Sequence, residues 1–188
     1  MPDVSEPREE PACLLAADEK VTDIACGALH TIVKTGYLCV LGNYFETSFV
    51  DKNRLFATGF GETFALGYGQ GRTSAEFKQI QLPKKNVNVR SSYSKNDEIE
   101  KIACGLTHSG CIRGGKVFLW GLPCNKESSL LKTPTQIDFP STSEGGYAEL
   151  SAKKSSEETF IDIKLGDTLS VFLNTRVKTT LFRPLDSK

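Results

Sequence analysis

The sequence has 188 residues, of which 39% are hydrophobic and 24% are charged, and its 23 basic and 23 acidic residues give a formal net charge of +0. This balance excludes the excess of Lys and Arg that marks a protein binding nucleic acid directly. No run approaches the roughly 18 apolar residues of a membrane-spanning helix, so we expect no membrane partner.

Residues 1–20 form an acidic N-terminal tail that contains proline. A signal peptide needs a basic start followed by an apolar stretch, and this tail has neither. We therefore expect the protein to be cytoplasmic and/or nuclear. The remainder, residues 21–188, carries the apolar runs from which a fold can be built.

The six cysteines include no C-x-x-C pair, which disfavours zinc-ribbon and thioredoxin-like sites. Cys26, Cys39, Cys104 and Cys111 lie in apolar, strand-like runs, where a free cysteine behaves as a small buried hydrophobe. The pattern predicts buried free thiols in a reducing compartment, and an undetected disulfide or metal site is the alternative.

A repeated segment organises the chain. Residues 24–31 read Ile-Ala-Cys-Gly-Ala-Leu-His-Thr, and residues 102–109 read Ile-Ala-Cys-Gly-Leu-Thr-His-Ser. A third copy, residues 160–173, keeps Gly166 and a following hydroxyl residue but has Leu169 at the histidine position. Recurrence at this spacing indicates a repeat architecture.

Each copy continues into an apolar run that ends in glycine. Residues 116–121 read Lys-Val-Phe-Leu-Trp-Gly, and residues 37–42 match them with a one-residue deletion. Residues 54–59 make another copy of this strand. Short apolar runs joined at glycine predict β-hairpins, and about four strands per repeat predict a propeller blade. The predicted repeats cover approximately residues 21–76, 77–132 and 133–188.

These motifs resemble the regulator of chromosome condensation repeat family, in which a Cys-Gly-x-x-His-Thr segment precedes a Trp-Gly strand and a Gly-Gln-Leu-Gly element. The last element occurs in degenerate form within residues 59–69. The resemblance covers roughly residues 21–183 and implies a β-propeller, typically of about seven blades. We expect an all-β, partial propeller with about three degenerate blades. The residues expected to serve this repeat structurally are Cys26, Gly27, His30, Gly42, Gly59, Gly67, Cys104, Gly105, His108, Trp120, Gly121 and Gly166.

The spacing of the repeats departs from a regular array. Gly27 and Gly105 lie 78 residues apart, whereas Gly105 and Gly166 lie 61 apart. Residues 43–53 are therefore either an insertion or the scar of a missing segment. Three incomplete blades cannot close a ring of about seven, which leaves strand edges unpaired. Three arrangements would resolve the unpaired edges: a longer parent chain that completes the ring, self-association of this chain, or a compact three-blade module.

The sequence offers no candidate catalytic, cofactor or metal residues. His30 and His108 lie in different repeats without acidic or cysteine ligands at a chelating spacing, and each is expected to hydrogen-bond within its own blade. The glycines of residues 59–71 match neither G-x-G-x-x-G nor the P-loop pattern and are interpreted as turn residues.

Polar residues 84–97 and 141–158 fall between blade strands and are expected to be surface loops that contact protein partners. The leading hypothesis is a non-enzymatic protein-interaction module. The resemblance implies the alternative, a guanine-nucleotide exchange factor for a small GTPase or a fragment of one, because the family's founding member has that activity and also contacts histones.

Overall fold

The structure, a computed structural model, describes residues 19–37, 54–83, 98–123, 130–139, 159–167, 169–175 and 179–182. Within these ranges the chain forms eleven β-strands and no helix, and every strand pair is antiparallel. The strands form three separate sheets. The prediction of an all-β partial propeller is confirmed.

Each sheet is one blade, and its strands lie side by side in chain order. Blade 1 contains β1 (Glu19–Cys26), β2 (His30–Tyr37), β3 (Arg54–Gly59) and β4 (Ser74–Ile80). Blade 2 contains β5 (Ile99–Cys104), β6 (His108–Arg113), β7 (Lys116–Gly121) and β8 (Leu131–Gln136). Blade 3 contains β9 (Phe160–Leu165), β10 (Ser170–Asn174) and β11 (Thr179–Phe182).

The β6–β7 hairpin shows how the local sequence sets the blade geometry. Its turn residues Gly114 and Gly115 have φ angles of 57° and 69°. Two successive left-handed residues form the turn whose twist matches that of the flanking strands, and glycine adopts this conformation without steric cost. The flanking strands alternate side chains between two faces, which are both buried in this blade.

Blade 2 packs one face against each neighbouring blade. Its strand β5 contacts both β1 and β9. The face toward blade 1 contributes to one apolar cluster the side chains of Ile99, Ile102, Cys111, Phe118 and Trp120. The face toward blade 3 contributes to a second cluster the side chains of Ala103, Ile112, Val117 and Leu119.

The sheets divide the chain differently from the sequence repeats. The predicted boundaries at 76/77 and 132/133 fall inside β4 and β8, which pair with the preceding strands β3 and β7. The predicted tail, residues 1–20, includes the first two residues of β1. There the buried Glu19 carboxylate accepts a hydrogen bond from Arg54 Nε at 2.7 Å.

Residues 54–59 supply the third strand of blade 1, whereas Tyr37 is the last residue of β2 and residues 38–42 lie outside the described residues. His30 pairs with Gly59 in the first sheet as His108 pairs with Gly121 in the second. In blade 2 only Gly114 and Gly115 separate the equivalent strands β6 and β7. Gly42 and residues 43–53 lie outside the described residues.

The prediction that the repeat cysteines are buried is wrong for Cys26. Cys26 is exposed, Cys104 is half-buried and Cys111 is buried; Cys39 lies outside the described residues. Cys26 and Cys104 have equivalent positions at the ends of β1 and β5. They differ because blade 1 packs on the face of β5 that carries Cys104, with Cys104 Sγ 3.3 Å from the Ala25 carbonyl.

This difference predicts selective thiol labelling. Burial raises the pKa of Cys104 to about 12 and that of Cys111 to about 12, and the thiolate is the reactive form. Iodoacetamide near neutral pH should therefore modify Cys26 at least about a hundredfold faster than Cys104 or Cys111. Peptide mass spectrometry of a time course measures this, with urea-unfolded chain as the control. Equal rates at the three thiols would contradict the packing of blade 1 on blade 2.

Candidate functional site

The turns that follow the inner strands stack on one another across the three blades. Each turn begins at an equivalent glycine, Gly27, Gly105 or Gly166. The Ala28 N–H donates to the Gly105 carbonyl at 3.4 Å, and the Leu106 N–H donates to the Gly166 carbonyl at 3.2 Å. The same backbone contact thus joins blade 1 to blade 2 and blade 2 to blade 3.

The stacked turns leave no room for a side chain at two of these glycines. A Cβ at Gly27 would lie 2.5 Å from the Gly105 oxygen, and one at Gly105 would lie 2.4 Å from the Gly166 oxygen. At Gly166 the nearest atom would be the Leu169 oxygen at 3.4 Å, an ordinary contact. Close backbone approach between blades therefore explains the first two glycines.

Both histidines hydrogen-bond to the serine of the next blade. His30 Nε2 lies 2.7 Å from Ser109 Oγ, and His108 Nε2 lies 2.9 Å from Ser170 Oγ. The expectation that each histidine bonds within its own blade is wrong. The ring leaves the turn toward the neighbouring sheet, where a serine occupies the position after the repeat histidine. We call these two pairs and the stacked glycine turns the inter-blade ladder.

The direction of the first hydrogen bond follows from the partners of Ser109. The Ser109 hydroxyl donates to the Ala65 carbonyl at 2.9 Å, and a carbonyl oxygen can only accept. A hydroxyl has one hydrogen, so Ser109 Oγ must accept from His30. His30 is therefore the tautomer with its proton on Nε2.

The glycine-rich residues 59–71 hold Ser109 in position for its hydrogen bond with His30. The Ala65 carbonyl also accepts a hydrogen bond from Trp120 Nε1 at 2.8 Å. Gly67 has a φ of 73°, and a Cβ there would lie 2.9 Å from Trp120 Nε1. Gly121, with a φ of 92°, lets the chain pass Ala65 and His108 closely. The segment is thus a packing loop between blades.

Both ladder histidines are held neutral by burial. Desolvation lowers the pKa of His108 to about 4, and the same cause lowers the pKa of His30. The His108 side chain is fully buried, and its Nδ1 has no hydrogen-bond partner among the described residues. A neutral, enclosed imidazole stabilises the packing of blades and is inaccessible to a substrate in solution.

The structure brings only some of the predicted repeat residues together. Gly67, Trp120 and Gly121 meet around Ala65, whereas the two histidines belong to successive steps of the ladder. Gly59 approaches the Leu29 oxygen, which a Cβ would meet at 2.4 Å. Gly42 lies outside the described residues. Across the described ranges, no three His, Cys, Asp or Glu side chains cluster as metal ligands would.

Sequence reasoning missed Ser109, Ser170 and Ala65. A hydroxyl residue after the histidine position was visible in every copy of the repeat, and that was the available signal for the serines. Ala65 gave none, because it contributes its backbone carbonyl. Leu169 fits the same logic: it replaces histidine in blade 3, where its side chain is 36% exposed.

Comparison with solved structures supports the fold of the chain. No family model and no curated protein matches the chain. The structure of Prp20p from Saccharomyces cerevisiae, described with its binding to Gsp1p and histones, is similar with a TM-score of 0.56 and 15% identity, covering 88% of this chain and 32% of that one. Yeast RCC1 (Prp20) with Kap60 bound is similar with a TM-score of 0.53 and 16% identity, covering 86% and 31%.

The chain has a regulator of chromosome condensation (RCC) type propeller fold. It spans about a third of the length of the two yeast structures. Human WBSCR16 is also similar, with a TM-score of 0.33 and 15% identity over 87% of this chain and 61% of that one. In the RCC-type blades described here, the inter-blade ladder determines the position of each blade relative to the next.

Alanine at the equivalent positions Gly105 and Gly166 should destabilise the protein to very different extents. Gly105→Ala forces a Cβ into the Gly166 carbonyl and should lower the free energy of unfolding by about 3 kcal/mol or more. Gly166→Ala meets only an ordinary contact and should change it by less than about 1 kcal/mol. Urea unfolding followed by Trp120 fluorescence measures both. Similar losses for the two variants would contradict the stacked turns.

The neutral histidines predict a loss of stability in mild acid. Their folded pKa lies below the unfolded value near 6.5, so the unfolded chain binds protons first as the pH falls. The contribution of the neutral histidines to the free energy of unfolding should be fully present above about pH 6.5. It should decrease toward about pH 4, by roughly 3 kcal/mol for His108. His108→Gln, which keeps a hydrogen-bonding side chain but does not titrate, should show a shallower decrease. Identical pH profiles for both proteins would contradict the buried, neutral assignment.

Proposed function

We propose that the protein is a non-catalytic protein-interaction module built from RCC-type blades. The observation that carries this proposal is the exposed apolar surface of β1. Val21 is 53% exposed and Ile24 is 60% exposed, on a strand whose other exposed residues are Lys20, Thr22 and Cys26. Contiguous exposed apolar side chains bordered by polar ones are typical of surfaces that bind other proteins.

The use of the repeat side chains supports a structural role for the motif itself. The ladder histidines are buried, neutral and bonded to serines, and Trp120 is bonded to Ala65. These groups hold blades together and leave rigid sheets whose faces and loops are free to vary. Binding through variable surfaces on a fixed scaffold is the usual division of labour in such repeats.

The similar structures support protein partners, since Prp20p is described with Gsp1p and histones and with Kap60. By analogy, we place this protein in the cytoplasm and/or nucleus. Residues 84–97 and 141–158 remain our candidate partner-binding loops, and they lie outside the described residues. Within the described ranges, no helix is long and apolar enough to cross a membrane.

The second candidate is nucleotide exchange on a small GTPase, alone or as part of a longer chain. The similarity to Prp20p, described with binding to Gsp1p, favours it. Exchange requires a surface that binds the GTPase better when its nucleotide is absent. The chain covers 32% of Prp20p, and a sequence identity of 15% does not carry exchange residues over position by position.

Affinity purification with mass spectrometry tests the interaction function. Tagged wild-type chain should recover a reproducible set of proteins that bind directly when purified. The matched control is the tagged double variant Gly27→Ala, Gly105→Ala, in which both inter-blade turns clash, and circular dichroism establishes that it is unfolded. A partner list that does not differ between the folded and unfolded chains would contradict the proposal.

A nucleotide-release assay separates the two candidates. The chain should leave the release of a fluorescent guanine nucleotide unchanged for each member of a small-GTPase panel at micromolar concentration. A known exchange factor on its own GTPase serves as the positive control. Acceleration above about tenfold for any member, equivalent to roughly 1.4 kcal/mol off the barrier, would promote the second candidate.

A further inference from the structure

Equivalent positions of the three blades differ sharply in exposure. The side chains of blades 2 and 3 on the face toward the preceding blade are buried: Ile99 1%, Ile102 9%, Phe160 4% and Ile163 1%. The equivalent side chains in blade 1 are Val21 and Ile24, which are 53% and 60% exposed. The register is the same in all three blades, including the bulge near the start of the inner strand.

Blade 1 also has the hydrogen-bonding groups through which blades 2 and 3 contact the blade before them. Ser109 accepts a hydrogen bond from His30, and Ser170 is hydrogen-bonded to His108, in each case the histidine of the preceding blade. Thr31 stands at the equivalent position in blade 1, beside Cys26, and presents a hydroxyl on the same face. The Gly27 carbonyl is likewise equivalent to the Gly105 and Gly166 carbonyls, which accept backbone N–H groups from the preceding turn.

The exposed part of this face is limited to the inner side of the blade. Val33 and Phe56, on the neighbouring strands, are 8% and 4% exposed. We therefore define the β1 face as Val21, Ile24, Cys26 and Thr31. Its four positions correspond to those on the inner part of the two blade interfaces that the structure shows filled.

The third blade of this same chain does not match the β1 face. Blades 1 and 2 present a small residue to the next blade, Ala25 and Ala103, each near the side chains of the following inner strand. Blade 3 has Lys164 at that position, with a side chain that is 80% exposed. It also has Leu169 in place of the donor histidine. An inward-facing charge of this kind opposes docking between sheets.

We propose that the β1 face docks an RCC-type blade other than the three described here. The partner blade carries a small residue where this chain has Lys164 and a histidine where it has Leu169. Its histidine donates to Thr31 Oγ1 and its turn N–H donates to the Gly27 carbonyl, which continues the inter-blade ladder by one step. This inference rests on the proposed interaction function and names the surface and the chemistry of the partner.

The chain itself can be converted into the probe. The donor variant combines Lys164→Ala and Leu169→His, which restore the blade pattern, with Ile24→Lys, which blocks its own β1 face. Wild-type chain is the acceptor. All three positions are exposed, so the folds should be retained, and equal melting temperatures establish this. Sedimentation velocity of the mixture at tens of micromolar reports complex formation.

The expected result is a one-to-one complex of donor and wild-type chain, with wild-type chain alone remaining monomeric. The acceptor variant Ile24→Lys should abolish the complex. Leu106→Lys is the matched control, since Leu106 is 39% exposed in the turn of the middle blade, and it should bind the donor like wild type. A donor that retains Leu169 should bind at least about tenfold more weakly, a difference of 1.4 kcal/mol.

Three results would overturn the proposal. Absence of a complex between the donor and wild-type chain would show that the β1 face does not receive a blade. Self-association of wild-type chain that Ile24→Lys abolishes would make a second copy the occupant. If affinity purification instead recovers direct partners that Ile24→Lys leaves unchanged, the interaction function stands and this surface is excluded.

Discussion

The arrangement of blades 1 and 2 depends on one buried backbone carbonyl, that of Ala65. It accepts hydrogen bonds from the Trp120 indole and from the Ser109 hydroxyl, and Ser109 in turn accepts one from His30. The chain of contacts joins the turn of blade 1, the glycine-rich loop and two strands of blade 2. A buried network of this kind is favourable when every member is satisfied and costly when one partner is removed. It fixes one relative position of two sheets that apolar packing alone would leave free to slide.

The same constraint explains which repeat residues tolerate change. Glycine is required where turns from successive blades touch, as at Gly27 and Gly105, and the requirement weakens at Gly166. Histidine occurs where the next blade supplies a serine, and leucine takes its place in blade 3. The residues of the repeat motif therefore reflect the contacts between blades. A position loses its characteristic residue when no described neighbour demands it.

Much of this architecture could be predicted from the residues. Short apolar runs broken by glycine indicated antiparallel strands, and the recurrence of the segment around Cys26 and Cys104 indicated blades. The partner of His30 could not be predicted, because a repeat shows what each unit contains and not how units face one another. The exposure of Cys26 was missed for the same reason: its burial depends on a preceding blade, which is a property of the array. The strand at residues 54–59 was ambiguous because two segments matched the pattern and only hydrogen-bond register distinguishes them.

The most direct test of the inter-blade ladder is a double-mutant cycle on His108 and Ser170, whose side chains join blade 2 to blade 3. The variants are His108→Leu, which introduces the residue found at position 169, Ser170→Ala, and the two combined, each measured by urea unfolding. The ladder predicts a coupling free energy of about 1 kcal/mol or more, since either single change leaves the other buried group without its partner. Single effects that add to within about 0.5 kcal/mol would show that the two side chains do not hold the blades together.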